Sequence, residues 1–510
     1  MNLGLVPQPR SIAARPGGVV WESPLRISVE DDWREIVETF AVDLSASIGW
    51  RVEIVDEQAK PDIQILRVLE YRDEDYQIRT GECTTIEASS RAGASYALTM
   101  LRQMAPVALW SNTLRELEKI ELPRFVINDG PKFRWRGVHL DVARHFWDVA
   151  TVCRLIDQLA AHRLNKLHLH LNDDQGWRVE IPTWPRLSEV GSRRRSSPLG
   201  HEVDGRDDNI AHGGSYSAND LAIIREHAVK RCVQIVPEID LPGHAQAVIA
   251  AYAQLGNVSE PLEVWTRWGI SDHVLNVGPE ALDFAEEVVC YVASLFPDSP
   301  VHIGGDECPT TEWESSALAR AVMDEHGFTE ARQLQGLFTK RLTGALQRDH
   351  HEVIAWDEVL DADDSPGTVI MAWRSSRKGV EAARRGRDVI MAPMQFLYFD
   401  WLNSVDAGEP IALTLAPQAT TWEKVYGFSI FPPGLEPDLR HHIRGAQAQL
   451  WSEYIATRDH LDYMAFPRIS AFSEVAWGTS TMVSDFRKRL ALHLERLSAM
   501  GVAYRPLDPA

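Results

Sequence analysis

The sequence predicts an α/β protein in which a (β/α)8 barrel follows a smaller α+β domain. Three observations lead to this fold class. From about residue 133 onward, eight short apolar runs rich in β-formers alternate with longer helical stretches. Polar and aromatic residues follow each of those runs, as they do at the functional end of such barrels. The first 125 residues lack this regular alternation.

The N-terminal part predicts a small α+β domain. Residues 93–105 place Leu98, Leu101 and Met104 at helical spacing. Pro123, together with Gly130 and Pro131, predicts a break in the chain. We therefore expect domains at 1–128 and 129–510. The short β-like runs of the first domain lie at residues 25–30, 62–68, 75–80 and 83–89.

The barrel is predicted from eight β-then-α units. Ser217 and Asp220 have the spacing of a capping box at the start of one helix. Residues 175–216 form a long insertion with a basic run, Arg193 to Arg195, that is typical of a solvated surface. Residues 273–277 are a spare strand candidate. The eight predicted strands start near residues 133, 166, 233, 301, 353, 368, 388 and 445.

Composition restricts the function. The 510 residues are 45% hydrophobic and 25% charged, which indicates an ordinary globular protein. The net charge of −21 disfavours nucleic acid and anionic membranes as partners. The five cysteines are scattered, with no disulfide framework and no paired zinc spacing. With no signal peptide or membrane segment in the sequence, we expect a cytoplasmic protein.

Functional residues are predicted at the ends of the strands. One polar residue there means little, because acids often cap strand ends, but the same placement at every strand indicates an active site. The candidates in chain order are Arg136, Asp141, Asp173, Asp174, His244, Asp306, Glu307, Trp356, Asp357, Trp373, Arg374, Tyr398, Asp400, Trp451 and Glu453.

The stretch VHIGGDE, residues 301–307, holds two adjacent acids. Neighbouring residues on a regular strand face opposite ways, so Asp306 and Glu307 can reach one cavity only if the strand ends or twists there. Gly304 and Gly305 give the backbone that freedom. The two glycines and the two acids together predict a functional turn.

An alternative function rests on His168 and His170. Strand alternation places both histidines on one face, inside the barrel, and this spacing resembles the first metal site of barrel amidohydrolases. That site also needs two further histidines and an aspartate at later strand ends, and neither His244 nor His302 lies where it requires. Hydrogen-bonded interior histidines are therefore favoured, and no metal or cofactor is predicted.

Four segments of the chain together resemble family 20 glycoside hydrolases, the β-N-acetylhexosaminidases. The most specific is HIGGDE, and the other three occur in the expected order. The resemblance extends over nearly the whole chain and implies a non-catalytic α+β domain before a catalytic barrel. The supporting segments are HLHLNDDQGWRVEI, VPEIDLPGHAQA and AQLWSE.

By this resemblance, the substrate's own acetamido oxygen attacks the anomeric carbon, an exception to ordinary retaining glycosidases. Glu307 would be the general acid and base, Asp306 would orient the acetamide and Tyr398 would donate a hydrogen bond to it. The remaining implied roles are these: Trp356, Trp373 and Trp422 wall the acetamido pocket, Trp451 stacks under the ring, Arg136, Asp400 and Glu453 hold the hydroxyls, and Asp173 or Asp174 with His244 supports Glu307.

Some of these roles have structural alternatives. Without the resemblance, Trp356 and Trp373 would be interpreted as barrel filling, and Arg136 could instead pair with Asp141. Trp422 lies in a weakly patterned stretch.

The leading interpretation is an exo-acting β-N-acetylhexosaminidase that acts on a small oligosaccharide or glycoside and needs no cofactor. The alternatives are a glycosidase that releases N-acetylated disaccharides, a metal-dependent amidohydrolase and a catalytically silent sugar-binding protein. The choice between gluco and galacto substrates, the aglycone, the oligomeric state and the role of residues 192–216 stay open.

Overall fold

The computed structural model describes residues 3–362, 365–406, 408–413 and 419–508, without the side chains of 203 and 362. Its N-terminal domain is a seven-stranded mixed sheet in the order β1-β7-β5-β6-β4-β2-β3. Helices α1 (Arg34–Ile48) and α2 (Arg91–Met104) contribute their buried faces to the core of this domain. The strands are β1 (Ser11–Glu22), β2 (Leu25–Ser28), β3 (Val52–Ile54), β4 (Ile63–Arg67), β5 (Tyr76–Arg79), β6 (Thr84–Ala88) and β7 (Lys119–Asp129).

The long pair β1–β7 was not predicted. The sequence of β1 contains Pro16, Gly17 and Gly18, which usually interrupt strands, and its first eight positions are all exposed instead of alternating with buried ones. The register shifts between Arg15 and Gly18, so the breakers lie in an irregular stretch that the partner strand tolerates. Pro123 lies opposite this irregularity, within β7 rather than between two domains.

The second domain is the predicted closed barrel, in the order β10-β11-β12-β13-β14-β15-β8-β9, and its neighbouring strands are parallel. All eight predicted strands are present. Residues 273–277, the spare candidate, have no strand structure. The barrel strands are β8 (Trp135–Asp141), β9 (Lys166–His170), β10 (Gln234–Glu238), β11 (Val301–His302), β12 (Val353–Trp356), β13 (Val369–Ala372), β14 (Val389–Met391) and β15 (Ile443–Leu450).

Helices surround the barrel, and their apolar faces pack on outward side chains such as Leu167 and Leu169. Ser217 and Asp220 form the predicted capping box at the start of α4. The helices are α3 (Val149–Ala161), α4 (Ala218–Lys230), α5 (Gln246–Ala251), α6 (Pro279–Leu295), α7 (Thr311–Ser315), α8 (Ala317–His326), α9 (Gln335–Arg348), α10 (Val359–Ala362), α11 (Ser376–Arg384), α12 (Met394–Leu397), α13 (Trp422–Tyr426), α14 (Arg458–Ala465), α15 (Arg468–Trp477) and α16 (Val483–Ala499).

Two buried arginines of the barrel domain bind acids of the N-terminal domain. Arg136 donates to both carboxylate oxygens of Glu74, at 2.8 and 3.0 Å, and to the Tyr96 hydroxyl at 2.9 Å. Arg163 donates to Asp129 at 2.8 Å. Arg136 therefore joins the two domains and does not hold a substrate hydroxyl, which corrects the prediction. Its position at the start of β8, rather than the end, accounts for the error.

The long insertion between β9 and α4 is folded onto the barrel. It contains two short antiparallel pairs, Asn172–Asp173 with Gly176–Trp177 and Arg193–Arg194 with His212–Gly213. Arg193 and Arg195 are exposed, as a solvated basic run predicts, but Arg194 is buried, and its guanidinium lies 5.2 Å from the Trp268 ring. Within the described residues, no helix has the length and apolar character to cross a membrane.

Candidate active site

The carboxylate of Glu238, at the end of β10, forms the centre of the barrel interior. It lies 2.5 Å from His170 Nδ1 and 2.8 Å from His302 Nδ1, and it accepts a hydrogen bond of 2.8 Å from Trp356 Nε1. His168 Nε2 is 3.2 Å away. This packed polar core supports the residues above it.

Trp356 lies between this core and the aromatic rings above it. It is fully buried, bound to Glu238 and packed against His302 at 4.7 Å between ring centroids. Its ring also lies 6.1 Å from that of Trp451, so its predicted place in the pocket wall stays a prediction. Both histidines of the H-x-H pair are likewise hydrogen-bonded interior residues: His170 bridges Glu238 and Asp173, and His168 contacts Glu238 and Gln447.

His170 is held between two carboxylates. Burial alone would lower the pKa of His170, but Glu238 and Asp173 raise it to about 10. The imidazole is therefore a cation at neutral pH and donates to both acids. It fixes Asp173 from below, through a contact of 2.9 Å to Asp173 Oδ2.

Asp173, His244 and Glu307 form a relay towards the mouth of the barrel. His244 Nδ1 lies 3.1 Å from Asp173 Oδ1, and His244 Nε2 lies 3.8 Å from Glu307 Oε2. Burial opposes protonation of His244, but Asp173 raises its pKa well above the usual value. A cationic His244 places a positive charge 3.8 Å from the Glu307 carboxylate.

Asp174 shapes the loops instead of pointing into the cavity. It is fully buried, and its carboxylate accepts from the backbone N–H groups of Gln246 and Ser271, at 3.0 and 3.1 Å. It lies 3.7 Å from His244 Nδ1. Of the two aspartates, Asp173 makes the direct hydrogen bond that supports His244, and Asp174 holds the loop behind it.

The strand β11 ends after His302, and the next residues turn sharply. Gly304 and Gly305 have φ values of +63° and +94°, and Glu307 itself has φ of +47°. A Cβ on Gly304 would lie 1.9 Å from Asp240 Oδ1, so the turn also requires the absence of a side chain. Asp306 is 7% exposed and faces inward, while the side chain of Glu307 is 35% exposed towards solvent.

Asp240 is a buried acid beside Asp306 that the sequence analysis missed. The two carboxyl groups lie within hydrogen-bonding reach of each other. Burial raises the pKa of Asp240 to about 7, and burial together with Asp240 raises the pKa of Asp306 well above its ordinary value. The signal was present in VPEIDLPGH, because Asp240 follows a strand end as directly as the selected residues do.

Aromatic rings line one side of the cavity. Trp373 and Tyr398 stack at 6.0 Å between centroids with an interplanar angle of 15°, and Trp451 lies 6.1 Å from Tyr398. Trp373 Nε1 donates to Glu358 at 2.9 Å, another residue the sequence analysis did not select. Burial and Asp306 raise the pKa of Glu358 well above normal.

Trp422 does not join these rings. It starts α13 and packs in the outer core, 5.7 Å from Phe486. The cluster with Trp373, Tyr398 and Trp451 also contains Trp401, which follows the Tyr398–Asp400 run directly. Because Trp422 lies in a stretch without clear periodicity, the sequence could not place it.

Charged groups close the opposite end of the cavity. Arg144 lies 2.8 Å from Asp173 and 3.8 Å from Glu453, and its guanidinium is 5.1 Å from the Trp451 ring. Asp400 is buried nearby, and burial together with Glu453 raises its pKa well above the usual value. Arg144 occupies the position expected of Arg136; it was missed because it follows β8 by three residues instead of lying within the run.

Several buried polar atoms around the cavity have no hydrogen-bond partner in the described structure. Buried polar atoms are nearly always paired, so unpaired atoms that surround one cavity indicate where a polar ligand binds. These atoms lie both beside Asp306 and at the end of the cavity formed by Arg144, Asp400 and Glu453. They include Asp306 Oδ1, His244 Nε2, Asp400 Oδ1 and Trp451 Nε1.

Comparison with known proteins identifies the family. Residues 133–480 match glycosyl hydrolase family 20, catalytic domain, and residues 2–129 match domain 2 of the same family. The chain belongs to glycosyl hydrolase family 20. A β-hexosaminidase of Porphyromonas gingivalis is 33% identical over 99% of the chain, and one of Vibrio furnissii is 32% identical over 92%. The chain spans 64% and 76% of the lengths of these two relatives.

The solved structures agree with this assignment. The family 20 exo-β-N-acetylglucosaminidase of Vibrio harveyi, in complex with N-acetylglucosamine, superposes with a TM-score of 0.88 at 29% identity. The match covers 99% of this chain and 79% of that one. The family 20 assignment confirms the resemblance read from the four segments, and the comparisons give no support to the amidohydrolase alternative.

Proposed function

We propose that this protein is an exo-acting β-N-acetylhexosaminidase that removes terminal β-linked N-acetylglucosamine or N-acetylgalactosamine with retention. One observation carries this proposal. Asp306 and Glu307 are consecutive residues of one turn, one buried in the pocket and the other at its mouth. An ordinary retaining pair flanks the scissile bond about 5–5.5 Å apart, whereas these two acids suit different atoms of one substrate.

In the first step, the acetamido oxygen of the substrate attacks the anomeric carbon as the bond to the leaving oxygen breaks. Glu307 gives its proton to that oxygen, because its side chain lies at the exposed mouth where the leaving group departs. The product is a cyclic oxazolinium ion. Asp306 faces its nitrogen and stabilises the positive charge, while Tyr398 donates to the acetamide oxygen and holds it in line for attack.

In the second step, Glu307 removes a proton from water as the water attacks the anomeric carbon and opens the ring. The proton regained by Glu307 restores the starting state, and two inversions give overall retention. His244, 3.8 Å from Glu307 and tied to Asp173, stabilises the carboxylate between the steps. Neither step requires a metal or a cofactor.

The charged end of the cavity supports exo action. Arg144, Asp400 and Glu453 are positioned to hydrogen-bond the hydroxyl groups of the terminal sugar, and Trp451 offers a flat face under its ring. A terminal sugar whose hydroxyl groups are held by these charged side chains would have no hydroxyl left for a further sugar on its non-reducing side. We therefore expect a small N-acetylated oligosaccharide, such as a chitooligosaccharide, as the substrate.

The test compares an aryl β-N-acetylglucosaminide with the corresponding aryl β-glucoside. Wild type should hydrolyse only the acetamido sugar, with and without EDTA, and Glu307→Gln should lose that activity. Glu314→Gln, an exposed glutamate seven residues along the chain, is the matched control and should behave as wild type. Equal turnover of the plain glucoside would show that the acetamide takes no part and would refute the proposal.

A further inference from the structure

Asp240 is held rigidly against the catalytic turn. It is fully buried, and its backbone N–H donates to Asn172 Oδ1 at 2.8 Å, while its carbonyl accepts from Asn172 Nδ2 at 2.9 Å. Its Oδ1 accepts from Gly305 N at 2.8 Å. Gly304 leaves the space this carboxyl occupies. The carboxyl group therefore cannot turn away from Asp306.

One oxygen of each carboxyl is without a partner. Oδ2 of Asp240 and Oδ1 of Asp306 are both buried and accept no hydrogen bond in the described structure. The carboxyl groups lie within hydrogen-bonding reach, and His244 completes a group of three whose polar atoms lie within 4.8 Å of one another. Two buried carboxylates so close cannot both be ionised without a large repulsion, so a proton or a cation must lie between them.

The surrounding titratable groups add mostly negative charge. Glu307 and Glu358 face Asp306, as does Tyr398, and Glu238 faces Asp240. Cys308 is also close to both acids. His244 is the cation of this set, with Nε2 at 3.9 Å from Asp306 Oδ2, and it is already hydrogen-bonded to Asp173. These surroundings favour keeping one proton on the pair.

We propose that Asp240 and Asp306 share one proton, and that Asp240 is a positioning residue that lets Asp306 change its charge during the reaction. The proposal rests on the acetamide-assisted function above. In the empty site the proton lies on Asp306, which meets the neutral acetamide as a neutral acid. As the oxazolinium ion forms, the proton moves from the carboxyl group of Asp306 to that of Asp240. The pair keeps a charge of −1, but the negative charge now lies beside the new cation.

This transfer makes the interaction stronger in the transition state than in the ground state, which is what accelerates a reaction. In Asp240→Asn the side-chain amide donates to Asp306, which is then ionised throughout. The acetamido sugar should bind about fivefold more tightly, because a hydrogen bond to a charged group is stronger than one to a neutral group by about 1 kcal/mol. The value of kcat should fall together with KM. Loss of a merely structural residue would raise KM instead.

The sharpest test of the proton itself does not depend on catalysis. Infrared titration of the unliganded wild type should show the C=O stretch of a protonated carboxylic acid at neutral pH. Because Asp400 and Glu358 also have raised pKa values, the band of the pair is identified in the wild-type-minus-variant difference spectrum, where it should appear for both Asp240→Asn and Asp306→Asn. It should be absent from the difference spectrum for Asp462→Asn, which removes a buried carboxylate bound to Arg154 elsewhere. A difference spectrum for Asp240→Asn without this band would overturn the shared proton, as would the absence of the band from wild type.

Calorimetric titration with N-acetylglucosamine and with glucose gives the second readout. Asp240→Asn should bind N-acetylglucosamine, but not glucose, more tightly than wild type does. The difference in affinity between variant and wild type should become smaller at high pH, where wild type also loses the shared proton. Unchanged or weaker binding of N-acetylglucosamine would refute the charge change. If Mg²⁺, Ca²⁺ or Zn²⁺ binds wild type but not Asp240→Asn, a cation lies between the acids and the proposal fails. Hydrolysis by wild type would still support the proposed function in each case.

Discussion

The same substitution at two buried arginines, eight residues apart, separates an effect on catalysis from an effect on stability. Arg144 and Arg136 follow each other along β8 and its loop, and both are nearly inaccessible. Lysine keeps the charge of either residue but loses the planar fork of donors. Arg144→Lys should therefore impair catalysis with a modest effect on stability, whereas Arg136→Lys should impair stability with a modest effect on catalysis.

The magnitudes follow from the contacts. Arg144 reaches towards the substrate hydroxyls beside Glu453 and binds Asp173 at 2.8 Å. Loss of one charge-assisted hydrogen bond to the sugar costs about 1.5–3 kcal/mol, which corresponds to a decrease in kcat/KM of about 10- to 150-fold. Arg136 loses its paired contacts to Glu74 and one to Tyr96. Breaking a buried pair by removing one partner costs about 3–5 kcal/mol of unfolding free energy. Because lysine keeps the positive charge, the loss in Arg136→Lys should lie near the lower value.

The assay pairs kcat/KM for an aryl β-N-acetylglucosaminide with denaturant unfolding of each variant. The reasoning is wrong if Arg136→Lys loses as much kcat/KM as Arg144→Lys while its unfolding free energy stays at the wild-type value. It is equally wrong if Arg144→Lys retains wild-type kcat/KM, since the charged end would then take no part in sugar recognition.

Three further outcomes are expected. His170→Gln should flatten the dependence of the unfolding free energy on pH. In wild type, the pKa of His170 is raised to about 10, so the stabilisation it contributes is fully present below about pH 6.5 and is lost as the pH rises through 10. Denaturant titration across that pH range measures the change. Trp422→Phe should leave KM for the acetamido substrate within about twofold, whereas Trp373→Phe should raise it, because only Trp373 stacks on Tyr398 in the cavity. Gly304→Ala should lose about 2–4 kcal/mol of stability from left-handed strain and overlap with Asp240, together with most of its activity, as read by melting and initial rates.

Much of the fold was predictable because it depends on local patterns. Strand alternation placed His168 and His170 inside the barrel and their neighbouring leucines outside, and the capping box located the start of α4. The pair β1–β7 was not predictable in this way. Its residues show little alternation, and the pairing depends on a partner about 100 residues away in the chain.

The site was predictable where function forces an unusual sequence. The two glycines before Asp306 and Glu307 reveal the turn, since few other residues adopt its backbone. The role of Arg136 was wrong because the sequence shows that an arginine lies on a strand but not which end of the strand faces the cavity. Trp422 was wrong because an aromatic residue packs equally well in an outer core.

The junction between the two domains bears on how this protein could be divided. Arg136 and Arg163 have no exposed surface, and the acids that neutralise them, Glu74 and Asp129, belong to the first domain or its last strand. A fragment containing only the barrel would leave both guanidinium groups without these partners and would uncover the surface that the first domain covers, which a marginally stable fold tolerates poorly. We therefore expect the barrel to be stable only together with the N-terminal domain. The N-terminal domain therefore stabilises the barrel as a bound subunit would, although both belong to one chain.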